Sequence, residues 1–391
     1  MDGDFTPSLP ASGAARRRWL AQAGWASGLS TAAAQATPAT PASPSPSGLP
    51  VVSPQRVLRF PQDFGAHPQA RTEWWYLTGW LAAADAAAGA RPAWGFQLTF
   101  FRSRTDLAAD SRSAFAPRQL ILLHGALTDV ARQRLWHTQQ VARAALGVAA
   151  ADEGDTRVHL RHASLQRDDD HGVSLYRGRF STPDFSLQLQ ARRTQPVMLQ
   201  GQAGWSRKGP QPTEASHYYS EPQLAVAAQL QPPSGGLQRL QGRAWLDHEW
   251  SESVLSPDAT GWDWIGMNLD DGSALMAFRI RDRQGRTLWA GGGWREAGGT
   301  AQALSPTQLR WTPGETWRSP RTGARYPVRW TLEVAGRRYR IEALVPDQEQ
   351  DARDSTGTAY WEGLSALNDE QGRRVGWGYL EMTGYAGSLK L

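Results

Sequence analysis

The chain has 391 residues, 40% of them apolar, enough for two or three domains with sizeable cores, which excludes a disordered or fibrous protein. The formal charge is +5, with Lys208 and Lys390 the only lysines, and no aromatic-basic RNP pattern or zinc-finger spacing accompanies it, so nucleic-acid binding has no support. There is no cysteine, which excludes disulfides, thiolate metal sites, a cysteine nucleophile and a lipid-modified N-terminal cysteine.

At the N-terminus, Arg16-Arg17-Arg18-Trp19-Leu20 precedes a weakly apolar run to Ala34, and Ala34-Gln35-Ala36 offers a small-x-small cleavage site. This resembles a twin-arginine export signal, so residues 1–36 are expected to be removed near Ala36 and the mature protein to be periplasmic. The Pro/Ser/Thr-rich stretch 37–56 is expected to be a spacer. No later stretch holds 18 consecutive apolar residues, so no transmembrane span is expected.

From there on the dominant period is two. Phe96, Leu98 and Phe100 alternate with polar or small neighbours, as do Phe185, Leu187, Leu189 and Ala191, which predicts strands with one buried face. Leu81 to Ala90 is Ala-rich without an apolar stripe and reads as a long hairpin loop, and His217 to Ser220 as an irregular segment after Pro212. Trp262 to Leu269, Ser273 to Arg281 and Arg286 to Trp294, joined by tight turns, predict an antiparallel meander. Val328 to Val334 and Tyr339 to Val345 predict a hairpin turning at Ala335-Gly336.

The fold class is therefore mostly β. The Gln231-Pro232-Pro233-Ser234-Gly235-Gly236 stretch suggests a boundary, giving barrels over 57–235 and 236–391. A duplication is hinted at: Glu73-Trp74-Trp75-Tyr76 followed by Gly95 to Arg102 parallels Trp262-Asp263-Trp264-Ile265 followed by Gly272 to Arg279. Nineteen tryptophans, as many as the 10 Phe and 9 Tyr together, suit thick β cores or greasy cavities and lead us to expect roomy, indole-lined barrels.

Glu73 to Gly79, Gly95 to Arg102, Asp247-His248-Glu249-Trp250, Tyr360-Trp361-Glu362-Gly363 and Gly378 to Tyr385 together resemble the exported "predicted secreted hydrolase" group, which is similar to AttH proteins and carotenoid 1,2-hydratases. The resemblance spans roughly Val57 to Leu391. It implies two tandem lipocalin-like antiparallel barrels, a lipophilic ligand of isoprenoid or lipid type, and a role as accessory to an ABC transporter. It also implies a hydratase alternative: the positions matching the hydratases' His-x-Trp pair and nearby Asp are His248, Trp250 and Asp263. An associated Tyr has no counterpart, Gly261 standing before Trp262-Asp263.

On a strand, His248 and Trp250 share one face, while Asp247 and Glu249 take the other beside Trp245. A buried Asp could protonate an alkene, an indole face could stabilise the cation and His248 could hold water, with no cofactor or metal. The competing expectation is a satisfied His248–carboxylate network. Glu73, Glu362 and Glu381 sit among aromatic residues, where an arginine such as Arg102 or Arg279 is the expected partner.

Glu73, Trp75, Tyr76, His217, Tyr218, Trp264, Glu362 and Tyr385 are the candidate ligand contacts. H-E-x-x-H, G-x-S-x-G and phosphate-loop signatures are lacking. Three roles stay open: a carrier binding a lipophile in or between barrels, a hydro-lyase or hydrolase at His248, Trp250 and Asp263, and a carbohydrate module with exposed tryptophans.

Overall fold

Two antiparallel sheets, each built largely from consecutive strands, account for the chain from Thr72 onward. The computed structural model describes residues 52–87, 89–105, 111, 113, 116–253 and 255–387, all within one compact unit spanning residues 42–391. The expected export signal and most of the spacer lie outside the described residues. No helix among the described residues is long and apolar enough to cross a membrane.

The N-terminal sheet comprises β1 (Thr72–Ala83), β2 (Trp94–Arg104), β3 (Gln119–Asp129), β4 (Arg134–Arg143), β5 (Ala149–Ala151), β6 (Arg157–Leu160), β7 (Ala163–Asp170), β8 (Val173–Ser181), β9 (Ser186–Arg192), β10 (Met198–Leu199), β11 (Trp205–Arg207), β12 (Ala215–Gln231) and β13 (Gln238–Ser251). Its order is β4-β3-β2-β1-β13-β12-β9-β8-β7-β6-β5, with β10 and β11 pairing β12, and β3 curls back against β5 and β6 to make a nearly closed barrel. Inward residues such as Leu77, Phe96, Leu98, Tyr176, Leu187 and Leu246 are fully buried against one another. At roughly 1.5–3 kcal/mol each, burying large apolar side chains is the main stabilisation, and it fills the barrel.

The C-terminal sheet comprises β14 (Gly261–Leu269), β15 (Ala274–Arg281), β16 (Thr287–Arg295), β17 (Gln302–Leu304), β18 (Leu309–Pro313), β19 (Thr316–Arg318), β20 (Arg325–Pro327), β21 (Arg329–Val334), β22 (Arg337–Ala343), β23 (Glu349–Ala352), β24 (Thr358–Asn368) and β25 (Arg374–Met382). β19 and β20 form a separate two-stranded ribbon; the rest run β17-β16-β15-β14-β25-β24-β22-β21-β18, with β23 on β24. The meander and the Val328 to Val345 hairpin of the sequence reading correspond to β14–β16 and to β21–β22. These are the two tandem lipocalin-like barrels that the alternation and the resemblance imply.

Three expectations are corrected. Residues 231–236 do not divide the barrels: they turn β12 into β13, which pairs with both β12 and β1, so the chain passes to the second sheet only between Ser251 and Gly261. Residues 217–220 are not irregular but lie inside β12, held by β10 and β11 on one side and β13 on the other. The N-terminal barrel is also not a roomy indole-lined chamber, because its interior is occupied by its own apolar side chains.

The barrels meet through outward residues of β1, β2, β12 and β13 on one side and β14, β15, β24 and β25 on the other. Glycine permits this approach at two points. A Cβ on Gly266 would sit 3.0 Å from the Trp245 ring of the other barrel, and one on Gly95 would sit 2.7 Å from the Tyr379 hydroxyl.

Candidate functional site

Strand alternation sends the polar residues of β1 and β13 to two different places. The inward set forms a buried cluster at the end of the N-terminal barrel. Glu73 accepts hydrogen bonds from Arg102 Nε at 2.7 Å and from the His67 backbone N–H at 2.9 Å. Its Oε1 also meets His67 Nδ1 at 2.7 Å and His248 Nε2 at 2.8 Å.

His67 Nε2 lies 3.0 Å from Asp63 Oδ1, so both its ring nitrogens face carboxylate acceptors and must both carry protons. Burial disfavours that charge, yet the Glu73 carboxylate and the Asp63 hydrogen bond hold the His67 pKa above its ordinary value. Burial likewise opposes ionisation of Glu73, but His67 and Arg102 push its pKa well below the usual range. His248 is neutral: burial lowers its pKa, Nε2 donates to Glu73, and Nδ1 is 2.9 Å from the Tyr219 hydroxyl, which donates to it.

His67, Glu73 and His248 present donor atoms within 4.8 Å of one another, the spacing of a metal site. Those atoms are all engaged, however, and the Arg102 guanidinium already supplies a cation to Glu73. A divalent ion would displace hydrogen bonds and face that guanidinium, so the residues fit a self-compensated structural network better than a metal centre. Trp250 stacks on His67 with centroids 3.6 Å apart, Trp75 on His248 at 4.7 Å, and His217 accepts from the Ser53 backbone N–H at 3.3 Å.

Asp263 belongs to the other barrel. It points into the C-terminal interior, ion-paired to Arg279 Nε at 2.7 Å and Arg281 Nε at 2.8 Å, and accepts the Tyr385 hydroxyl at 2.9 Å. In the paired register Glu73 faces Arg102 and Asp263 faces Arg279, so the two barrels hold the same acid–arginine pair at corresponding places. The structure therefore joins His248 to Trp250 and does not bring Asp263 to them.

The outward set converges on a slot between the barrels, a cavity of about 80 Å³ walled by Trp74, Phe101, Trp262, Trp264, Phe278 and Ile280 and bearing Asp247, Glu249, Glu362 and Glu381. Asp247 accepts from Tyr218 at 2.6 Å, Ser220 at 2.5 Å and Trp245 Nε1 at 2.6 Å, and Trp264 Nε1 donates to the Tyr218 hydroxyl at 3.1 Å. Burial nonetheless raises its pKa to about 7 despite those three donors. Burial also raises Glu381 to about 7, although its Oε2 accepts from Trp262 Nε1 at 2.9 Å.

Glu362 is lifted well above the ordinary range by burial and then by the charge of Glu381. Gln97 Nε2 donates to its Oε2 at 2.8 Å, and the Tyr76 and Tyr360 hydroxyls also favour its charge, more weakly than burial opposes it. Among the described residues no arginine or lysine pairs with Asp247, Glu362 or Glu381; Arg102 serves Glu73 and Arg279 serves Asp263. The one cation lining the slot among the described residues is Lys208, which pairs with Glu249 at 2.8 Å.

Of the residues singled out in the sequence, Tyr76, Tyr218, Trp264 and Glu362 meet at the slot. Glu73, Trp75, His217, His248 and Trp250 lie in the N-terminal barrel, and Asp263 with Tyr385 in the C-terminal one. Sequence reasoning missed Lys208, and Asp247, Glu249 and Glu381 as site residues. The signal for Asp247 and Glu249 was their placement opposite His248 and beside Trp245.

Two docked lipocalin-like barrels with an acid- and indole-lined slot between them define the class of protein. The chain belongs to the AttH-like family, whose model matches residues 51–385. A candidate AttH from Nitrosomonas europaea is similar at 44% identity and TM-score 0.77, over 85% of this chain and 99% of that one. Kievitone hydratase from Nectria haematococca shares the fold at 13% identity and TM-score 0.63, over 84% of this chain and 93% of that one. Among curated proteins, none matches the chain.

Proposed function

We propose that the protein binds a lipophilic small molecule with one end in the inter-barrel slot and acts on it by proton transfer from carboxylic acids, as a cofactor-independent hydratase-like hydro-lyase. The observation that carries this is the set of buried carboxyls, Asp247, Glu362 and Glu381, held without a cationic partner in a wall of aromatic rings. A carrier of purely apolar cargo has no use for such groups, since each unpaired buried acid is destabilising. A general acid for an isolated alkene needs them.

Glu362, whose protonated form burial strongly favours, delivers its proton to one alkene carbon. The positive charge then develops on the other carbon, beside the ring faces of Trp262 and Trp264. A water adds there, and Asp247, which titrates near pH 7, takes the proton that the water loses. The sum is addition of one water, the cycle closing as Asp247 releases its proton to solvent and Glu362 regains one. The kinship of fold with a protein named as a hydratase supports this choice among lipophile-binding roles.

The test is tryptophan quenching by a panel of isoprenoid alkenes, followed by mass spectrometry for a gain of one water. Glu362→Gln should cut turnover at least about 100-fold while binding persists. Quenching without turnover in the wild type would leave a carrier, and unchanged turnover in both Glu362→Gln and Asp247→Asn would overturn the assignment of the acids. Export belongs to the same proposal, supported by Arg16-Arg17-Arg18 and Ala34-Gln35-Ala36, as does hand-over to an ABC transporter, supported by the family resemblance. Cell fractionation checks the first and co-purification with a permease the second.

A further inference from the structure

Resting on the reading of the slot as a ligand site, one feature of it points to the chemistry of the ligand's buried end. Lys208 already shows how the wall treats a cation: its ammonium lies 4.6 Å from the Tyr218 ring centroid and 4.3 Å from that of Phe278, while pairing with Glu249. Elsewhere in the slot the same materials recur without a cation. Trp262 and Trp264 stand beside Glu381 and Glu362, and among the described residues Glu362, 1% exposed, has only the neutral Gln97, Tyr76 and Tyr360 for hydrogen-bond partners and no cation.

We propose that the slot selects ligands whose buried end is a positively charged nitrogen, that is, lipophilic primary or quaternary amines. A carboxylate taken out of water is stable only if it is paired or gives up its charge. In the free protein burial favours the protonated acids; an ammonium of the ligand would supply the partner that favours their charged forms, with the indoles adding attraction through their ring faces. About 80 Å³, against roughly 30 Å³ for a water in the liquid, suits a small ammonium head rather than a coiled chain.

The opposite ligand charge is disfavoured at pH 8, because Lys208 is committed to Glu249 and a fatty-acid carboxylate would face the ionised Asp247 and Glu381. An ammonium in the slot is also the stable counterpart of the carbocation that alkene protonation would create there. Non-specific attraction is not the cause, since the chain as a whole carries +5.

Binding a cation should expel protons. The groups that face the slot are Asp247 and Glu249 on β13, Tyr76 on β1, Tyr218 on β12, Tyr360 and Glu362 on β24, Tyr379 and Glu381 on β25, and Lys208 before β12. The tyrosines are held protonated by burial, so the titration near neutrality belongs to the carboxyls.

The experiment compares decyltrimethylammonium, decanol and decanoate, each below its micelle concentration, by tryptophan quenching of the intact protein at pH 6 and pH 8. Calorimetry in buffers of different ionisation enthalpy counts protons released. Decyltrimethylammonium should bind at least tenfold tighter than decanol at pH 8, with a preference at least threefold smaller at pH 6 and about one proton released near pH 6.5. Glu362→Gln and, separately, Glu381→Gln should lower the preference for the amine over decanol about tenfold. Decanol binding as well as the amine, or decanoate binding better, overturns the inference while the slot stands as a ligand site. If none of the three binds, both fall together.

Discussion

Glu73 and Glu362 are both glutamates on central strands, both buried among aromatic rings, and they behave in opposite ways. Glu73 is ringed by Arg102, His67 and His248, and every one of those contacts favours its charge. Glu362 has only an amide and two tyrosine hydroxyls for hydrogen-bond partners and a second acid as its electrostatic neighbour, and burial and Glu381 together outweigh them and disfavour its charge. A buried acid with its counter-charges built in is a strut; one without them is a group waiting for something to arrive. The contrast is drawn by partners, not by depth.

The largest expected effect comes from breaking the strut. Arg102→Met strips the guanidinium from a wholly buried carboxylate and should cost about 3–5 kcal/mol, read as a fall in the urea midpoint. A loss below about 1 kcal/mol would erase the distinction between the two sites.

Next in size is the response to pH. Glu381 has a folded pKa raised from 4.5 to about 7, so the folded state holds its proton more tightly. Its stabilising contribution is complete below the unfolded pKa and disappears as pH climbs through about 7, a change on the order of 3 kcal/mol at 1.36 kcal/mol per unit. Asp247 acts in the same direction. Between about pH 6.5 and pH 8, above the range in which the depressed His124, His217 and His248 act in the opposite sense, thermal stability should therefore decline, and Glu381→Gln should flatten the slope. The depressed acids Asp63 and Glu73 act in the reverse sense, losing stabilisation only as pH falls below the ordinary carboxylate range.

A smaller effect sharpens the other side of the comparison. Glu362→Gln at pH 8 should be neutral or stabilising by about 1 kcal/mol, because the amide keeps the shape of the protonated acid without the cost of holding its proton as pH rises. The smallest is Tyr219→Phe, which withdraws one donor from His248 Nδ1 and should cost about 1 kcal/mol by the same unfolding assay.

Much of the fold could be read from period-two alternation wherever one face of a strand is apolar, as at β2, β9 and β21. The rule failed at β12, where His217-Tyr218-Tyr219-Ser220 carries no alternation because both faces are buried, Tyr219 toward the N-terminal barrel and Tyr218 toward the slot. The break read at residues 231–236 was real as a turn, yet a turn within a sheet looks locally the same as a turn between sheets. What lies at the slot was hardest to see, because Asp247, Glu249 and Glu381 sit on faces that a lone barrel would show to solvent. Only docking of the second barrel buries them. Asp263 shows the converse: it stands between the slot residues Trp262 and Trp264 in sequence and, by the pleat, faces away from them.

That same pleat makes the molecule easy to retool. On β13 the odd-numbered Asp247 and Glu249 line the slot, whereas the even-numbered His248 and Trp250 brace the barrel, so a variant library that changes every second codon would vary what is recognised while the bracing goes untouched. Lineages descended from a common ancestor would have had the same freedom, diverging in cargo or chemistry while their scaffolds stayed superimposable.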